Sequence, residues 1–384
     1  MAEDKKYVPE LTIKIDDSTS IKTDAKGSLE TRSGNGILSV SVDLRLDSPD
    51  MFAVQYDMMA LEKLNLIDSF KPGAKVEIGL GLAESGVLCI GEIAYIEPSF
   101  DVDIGYRTTV SGYHKLHRLT RGTRSRTWGD GLEPQTAPTD AVRQVISDSK
   151  AQKGGSSDAM SADEIGSAEV KHHYIPQLNA SDFEVLQALG AELEYKADSD
   201  EFAKVKFKQP DPGQSPVVKI ARERANEGGE GGLLLNASFR LSTVQQYTRV
   251  EVRSWDPWTK KNIVGVAESS KYEFDGTKGW TATNKALYGS GSTGRTYVIT
   301  DQPVNTQEEA DAMAQAVFDQ YSMDFVTGEV TIQGDPKAVP GSTVEFSGFG
   351  TTFSGVYLIT SATHTYTPED GYRTTIGFAR NAHG

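Results

Sequence analysis

The sequence predicts a mainly β protein: two copies of a small antiparallel β-barrel in tandem, with an α+β domain between them. Three observations carry this expectation. The pentapeptide GYRTT stands at Gly105–Thr109 and again at Gly371–Thr375. Upstream of each copy, Pro72-Gly73 with Val76-Glu77 matches Pro340-Gly341 with Val344-Glu345, and Ser85-Gly86-Val87 matches Ser354-Gly355-Val356. The three offsets are 268, 269 and 266 residues, so ordered anchors recur with only small loop changes.

The first barrel is placed at residues 1–128. Pro72-Gly73 marks a tight turn, because proline presets φ and glycine accepts a positive one. The second barrel, residues 236–384, shows the pattern more clearly. Val344-Glu345-Phe346-Ser347 alternates with period two, GVYLITSATHTY is β-branched and aromatic, and TPEDG makes a turn into YRTTIGFA. Leu44-Arg45-Leu46 resembles Phe239-Arg240-Leu241, which extends each copy by a strand pair and gives the second an excursion of about seventy residues. The excursion is placed at about 267–305. A helix follows at about 306–321, capped by Thr306 with Glu309 in capping-box spacing. Its apolar stripe, Ala310, Met313, Ala314, Val317, Phe318 and Tyr321, is expected to pack on the second barrel.

The α+β domain spans 129–235. A helix is predicted over 139–150, with Thr139 or Asp140 as its cap, followed by a mobile low-complexity loop at 150–170. Ser181 and Glu184 have capping-box spacing ahead of Phe183, Leu186, Ala188 and Leu189, and Gly190 ends or bends that helix. Two strands, AELEYKA and AKVKFKQ, come next, and RANEGGEGG at 224–232 reads as a flexible joint.

Composition narrows the function. The 384 residues suit two or three domains, and no run approaches the ~18 apolar residues of a membrane helix. No apolar leader follows the N-terminal Met, so folding in the bacterial cytoplasm is expected, without membrane insertion as a monomer. The single cysteine, Cys89, lies in an apolar run and reads as a buried small hydrophobe. A net charge of −15 argues against nucleic-acid recognition. The one basic run, with Lys115, Arg118, Arg121, Arg124 and Arg126, reads as an exposed connector paired with the chain's own carboxylates.

No catalytic, cofactor or metal site is predicted, and the chain is not expected to be an enzyme. GSGSTGRT at 289–296 lacks the phosphate-loop register and has Arg295 where lysine should stand. His114 and His117 would face opposite sides of a strand, which is poor geometry for a shared metal. His172 and His173 read as a surface pair.

Three stretches carry a family resemblance: IPQLNASDFEVLQALGAELEYKADSDEFAKVKF, VSGYHKLHRLTRG and the C-terminal GDPKAVPG…GFARN. Together they resemble the phage late control gene D family, which includes the hub portion of VgrG-type proteins of contractile injection systems. The resemblance implies a baseplate hub: a homotrimer in which two barrels per chain mimic six units. A trimeric spike protein would join one side of this ring and the hexameric tail tube the other, with other baseplate proteins around it and tape-measure or cargo segments in the lumen. It also implies assembly into a phage tail or injection-system particle. Glu329, Asp335 and Glu345 are candidates for lining that lumen. The sequence ends at RNAHG without the neck, β-helical spike or lysozyme domain of VgrG proper, so the spike is expected on another chain or beyond the sequence given. The alternative is a glycan- or receptor-binding tail adhesin, for which Trp255 and Trp258 are the candidate aromatics.

Overall fold

The computed structural model describes all residues except 1–8, 17–18, 23–35, 47, 64, 66, 82–85, 104, 132–133, 152–159, 194–195, 199–203, 224–232 and 257–258. Residues 152–159 of the expected mobile loop, the expected joint at 224–232, Ser85 and Trp258 therefore lie outside the described residues.

The fold is mainly β. The first unit contains β1 (Glu10–Ile15), β2 (Thr19–Lys22), β3 (Ile37–Arg45), β4 (Met51–Asp57), α1 (Met58–Lys63), β5 (Lys75–Gly81), β6 (Gly86–Asp101) and β7 (Gly105–His114). Period-two patterning sends alternate residues to one face. Leu11, Ile13 and Ile15 of β1 thus meet Val40, Val42 and Leu44 of β3 and Val76, Ile78 and Leu80 of β5 in one core.

The middle unit follows a short 3-10 turn at Lys115–Thr120. It contains β8 (Arg124–Trp128), α2 (Pro138–Ala151), β9 (Ser161–Ile165), β10 (Ile175–Ala180), α3 (Asp182–Leu193), β11 (Lys196–Asp198) and β12 (Lys204–Lys208). Val142, Val145 and Ile146 of α2 pack with Phe183, Leu186 and Leu189 of α3 and with Val205 and Phe207 of β12. The capping box on α3 is formed: Glu184 N–H donates to Ser181 Oγ at 3.2 Å, and Ser181 N–H donates to the Glu184 carboxylate at 2.6 Å.

Some local expectations are revised here. The first helical residue of α2 is Pro138, with Asp140 N–H donating to Ala137 O at 3.0 Å, so neither Thr139 nor Asp140 is the cap. Proline suits this position because its absent N–H would lack a helical partner anyway. Gly190 is buried inside α3, which runs on to Leu193; tertiary packing outweighs glycine's weak helix propensity. Of the strand expected at AELEYKA, residues 191–193 continue α3 and Lys196–Asp198 form β11. Ser161–Ile165, inside the stretch expected as a mobile loop, is a strand parallel to β12.

The rest of the chain holds β13 (Val218–Ala221), β14 (Leu234–Leu241), β15 (Arg249–Asp256), β16 (Lys261–Ala267), β17 (Thr277–Lys278), α4 (Gly279–Tyr288), β18 (Thr296–Ile299), α5 (Gln307–Met323), β19 (Val326–Gln333), β20 (Thr343–Ser347), α6 (Gly350–Phe353), β21 (Gly355–Thr367), β22 (Gly371–Arg380) and β23 (Ala382–His383). Everything between β14 and β19 is an excursion with a sheet of its own, ordered β16-β15-β18. Helix α5 covers that sheet: Ala310, Ala314 and Phe318 are buried with Val250, Val252, Ile263 and Trp280. Its stripe packs chiefly on the excursion, not on the second barrel. Gly265 of β16 permits this, since a Cβ there would lie 2.1 Å from the Ala310 backbone. Thr306 caps α5 as expected, its hydroxyl accepting from Glu309 N–H at 3.1 Å.

The two β units are not separate bodies. One thirteen-stranded sheet runs β14-β19-β22-β21-β3-β4-β7-β6-β5-β1-β2, with β13 and β20 beside this path. Strand β21 of the second copy pairs antiparallel with β3 of the first, from Ser361↔Arg45 to Tyr366↔Val40.

The ladders show how closely the copies correspond. In the first, β6 pairs β7 with a bulge between Ile93 and Tyr95. In the second, β21 pairs β22 with a bulge between Ile359 and Ser361. The Pro-Gly turns bind the residue before each bulge in the same way. Gly73 N–H donates to Ile93 O at 2.8 Å, and Gly341 N–H to Ile359 O at 2.9 Å. The two glycines have φ of 83° and 84°. A further bulge recurs between Ile37 and Ser39 of β3 and between Leu234 and Asn236 of β14. Bulges re-aim a strand and fix its register, so two shared ones are hard to reach independently.

This register corrects two alignments. The pairs Lys75↔Glu92 and Thr343↔Leu358 occupy the same place, so Val356 corresponds to Ile90, three residues beyond the sequence match to Val87. The β5–β6 hairpin is longer than its counterpart and bulged between Ile78 and Gly79. Likewise Phe239 corresponds to Val42 and not to Leu44. A shift of two preserves the face, which is why the pattern match survived it.

Candidate functional site

The geometry singles out the junction between the copies and the sheet edges that repeat its chemistry without a partner. At the junction, Thr363 Oγ donates to the Asp43 carboxylate across the β21–β3 ladder. Tyr366 and Tyr372, 4% and 3% exposed, enter the core of the first unit beside Val40 and Ala362. His364 lies beneath, fully buried. Its Nε2 faces Ala338 O at 3.1 Å, and its Nδ1 faces Tyr372 Oη at 2.8 Å and Thr374 Oγ at 3.1 Å. That arrangement suits a neutral ring donating from Nε2 and accepting at Nδ1. Burial lowers its pKa to about 4. The same burial raises the Tyr372 hydroxyl above its ordinary range.

The corresponding surfaces at the two ends of the repeat are open. β6 beyond its bulge corresponds to the part of β21 that pairs β3, yet has no strand on that side among the described residues. Phe100 and Tyr106, counterparts of Tyr366 and Tyr372, are 63% and 46% exposed. At the other end, β14 pairs only β19 among the described residues. Leu241, the counterpart of buried Leu44, is exposed.

A second cluster ties the middle unit to the excursion. His172 places Nε2 at 2.8 Å from Glu192 and Nδ1 at 3.0 Å from Glu309. Burial opposes the imidazolium, but the two carboxylates outweigh it and raise His172 to about 9. Burial likewise pushes Glu309 upward, but contact with His172 wins and holds it below its ordinary range. His172 is thus a bridge between units rather than one of a surface pair. Nothing in the local KHHY stretch reveals this, because one partner lies over a hundred residues away.

The remaining sequence candidates fall as follows. His114 ends β7, and His117 sits in the 3-10 turn with its Nδ1 3.0 Å from His114 O, so the two do not share a strand. The basic run is paired internally, as expected: Arg118 with Glu92, Arg124 with Asp182, and Arg126 with Asp148 and Asp182. It is less exposed than a connector should be, and Lys115 is buried. Pro72, Glu92, Lys115, Arg118, Arg121 and Asp182 help line a cleft of about 470 Å³ where the first and middle units meet. Cys89 is buried, which raises its thiol pKa. Arg295 lies in the loop before β18, 5.7 Å from the centre of the Tyr247 ring. Trp255 is exposed on β15. Among the described residues, no group of three or more His, Cys, Asp or Glu is placed to hold a metal, and no helix is long and apolar enough to cross a membrane.

Solved structures share this fold. The 43 kDa tail protein of prophage MuSo2 from Shewanella oneidensis superposes with a TM-score of 0.66 at 14% identity, over 98% of this chain and 100% of that one. A tail protein from Neisseria meningitidis gives 0.65 at 11% identity, over 98% and 97%. An E. coli component of the type VI secretion system, described as similar to the T4 bacteriophage tail proteins gp27 and gp5, gives 0.53 at 11%, over 95% and 76%. At such identities the likeness is one of fold. No curated protein matches the sequence. A family model described as the Alg8 N-terminal domain matches residues 59–368, most of the chain. By that match, the chain belongs to the Alg8 N-terminal domain family.

Proposed function

We propose that this chain is a structural hub of a contractile tail or injection system, of the late control gene D and VgrG type. In this reading it is non-catalytic and joins a hexameric tube to a trimeric spike. The observation that carries the reading is the continuous sheet through the two copies. Each chain supplies two equivalent arcs already paired edge to edge, so three chains supply six. Rings of different symmetry need such an adaptor, because symmetry fixes interface geometry. The fold shared with phage tail and type VI secretion proteins supports the same role.

Residues 1–128 and 236–384 act as the two ring units, and 129–235 as an outer brace tied to the excursion through His172. The perturbed groups have structural explanations: His172 and Glu309 lie in an ion cluster, and His364 and Tyr372 in a buried ladder. Glu329, Glu345 and Asp335 face the lumen in this reading, where negative charge limits adhesion of passing segments; Glu345 also lies 3.7 Å from Lys219. Spike, tube and other baseplate proteins are the partners, and the assembled particle is the destination. Light scattering tests the reading. A mass three times that of the chain, alone or with the neighbouring baseplate proteins, is expected; a monomer or dimer under all these conditions refutes it.

A further inference from the structure

Each open edge has a counterpart inside the chain whose partner is known, so the missing partner can be read from the repeat. β6 corresponds to β21 through the shared bulge, and β14 corresponds to β3 through the other. Carrying the β21–β3 register onto the open strands fixes every pair. Ser361↔Arg45 becomes Tyr95↔Ser242, Thr363↔Asp43 becomes Glu97↔Arg240, and Tyr366↔Val40 becomes Phe100↔Ala237.

We propose that the β6 edge of one molecule takes the β14 edge of a second copy as its antiparallel neighbour, with Glu97 opposite Arg240. The inference rests on the hub reading only in supposing that copies of this chain meet.

Charge and burial support that occupant. Glu97 and Arg240 are exposed, and neither has an ion-pair partner among the described residues. Facing each other, they form an opposite-charge cross-strand pair where the internal junction has the Thr363–Asp43 hydrogen bond. Docking covers Phe100 and Tyr106 as the internal junction covers Tyr366 and Tyr372. It also satisfies backbone groups that an open edge leaves free for unintended partners. Pro98 lacks an N–H and fits an edge strand, so the docked ladder gains no donor from it. The contact is head-to-tail, and such contacts give a closed ring or a filament according to the rotation between copies.

The full-length chain carrying Glu97→Cys and Arg240→Cys tests the register, since the native Cys89 is buried. Oxidation is expected to give covalent oligomers ending at the trimer, while either single cysteine variant gives none. Separately, Glu97→Arg is expected to weaken self-association at least about tenfold, and adding Arg240→Glu to restore it. That rescue would not follow from a merely structural role of either residue. A threefold mass without cross-linking and without an effect of Glu97→Arg overturns this interface and leaves the hub reading standing. A ladder of products beyond the trimer supports the interface and overturns threefold closure. A chain that stays monomeric with its baseplate neighbours present overturns both.

Discussion

His172 makes the attachment of the middle unit to the excursion dependent on pH. A pKa of about 9 in the fold against the ordinary 6.5 corresponds to roughly 3 kcal/mol of preference for the charged ring. The sign follows from linkage. The folded state holds its proton more tightly, so the stabilisation is complete below about pH 6.5, declines between 6.5 and 9, and is gone above. On the acid side Glu309, held below its ordinary value, contributes above the unfolded carboxylate range and loses that contribution as pH falls through its folded pKa. The bridge is therefore strongest from about pH 5 to 6.5. The chain has several cores, so global unfolding is the wrong measurement and local opening the right one. Native-state hydrogen exchange of amides in α3 and the first turns of α5 should accelerate between pH 7 and 9.5, after correction for intrinsic rates. In His172→Gln, which cannot charge, the corrected rates should be high and flat. Parallel pH profiles for the wild type and the variant would refute the argument, because the ring would then not be the titrating group.

Other perturbations probe other parts of the fold. Tyr366→Ala empties the junction between the copies and should cost ~3–5 kcal/mol, read as a lower urea midpoint for the first unit, whose core it enters. Gly265→Ala forces α5 off β16 and should destabilise the excursion by ~1–3 kcal/mol, seen as increased exchange in α5. Ser181→Ala removes half of a formed capping box and should cost ~1 kcal/mol in thermal unfolding of the middle unit. His364 is held neutral, so stability present above pH 6.5 should fall as the pH drops toward about 4. His364→Gln should flatten that acid limb in urea titrations.

The duplication was legible because its anchors are conformational. Gly73 and Gly341 sit at positive φ in tight turns, and turn residues of this kind keep their identity wherever the backbone must reverse. The capping boxes at Ser181 and Thr306 were legible for a related reason: both partners lie within one helical turn. What stayed hidden involved long-range contacts or small register shifts. The excursion's own sheet depends on β18 returning parallel to β15, and periodicity along the chain does not reveal that pairing. His172 was misplaced because Glu309 reaches it from a distant helix. The three-residue slip at Val87 arose where one hairpin had lengthened but kept a Ser-Gly-Val at its start.

The joining of the two units was equally invisible, and it bears most on function. No sequence match relates β21 to β3, since strands that pair need not resemble each other. The sequence does record where the copies have diverged. Tyr372 keeps the tyrosine of Tyr106 while Tyr366 stands where the first copy has Phe100, so both copies retain an aromatic pair at this corner. One pair is buried by a neighbour within the chain and the other lies in solvent. Exposed aromatics carry a solubility cost, and beyond their own edge-to-face contact at 5.6 Å Phe100 and Tyr106 leave most of their surface in solvent. Retention of the pair at the open corner is what a chain requires if that corner is also covered, in the working assembly, by the edge of another molecule.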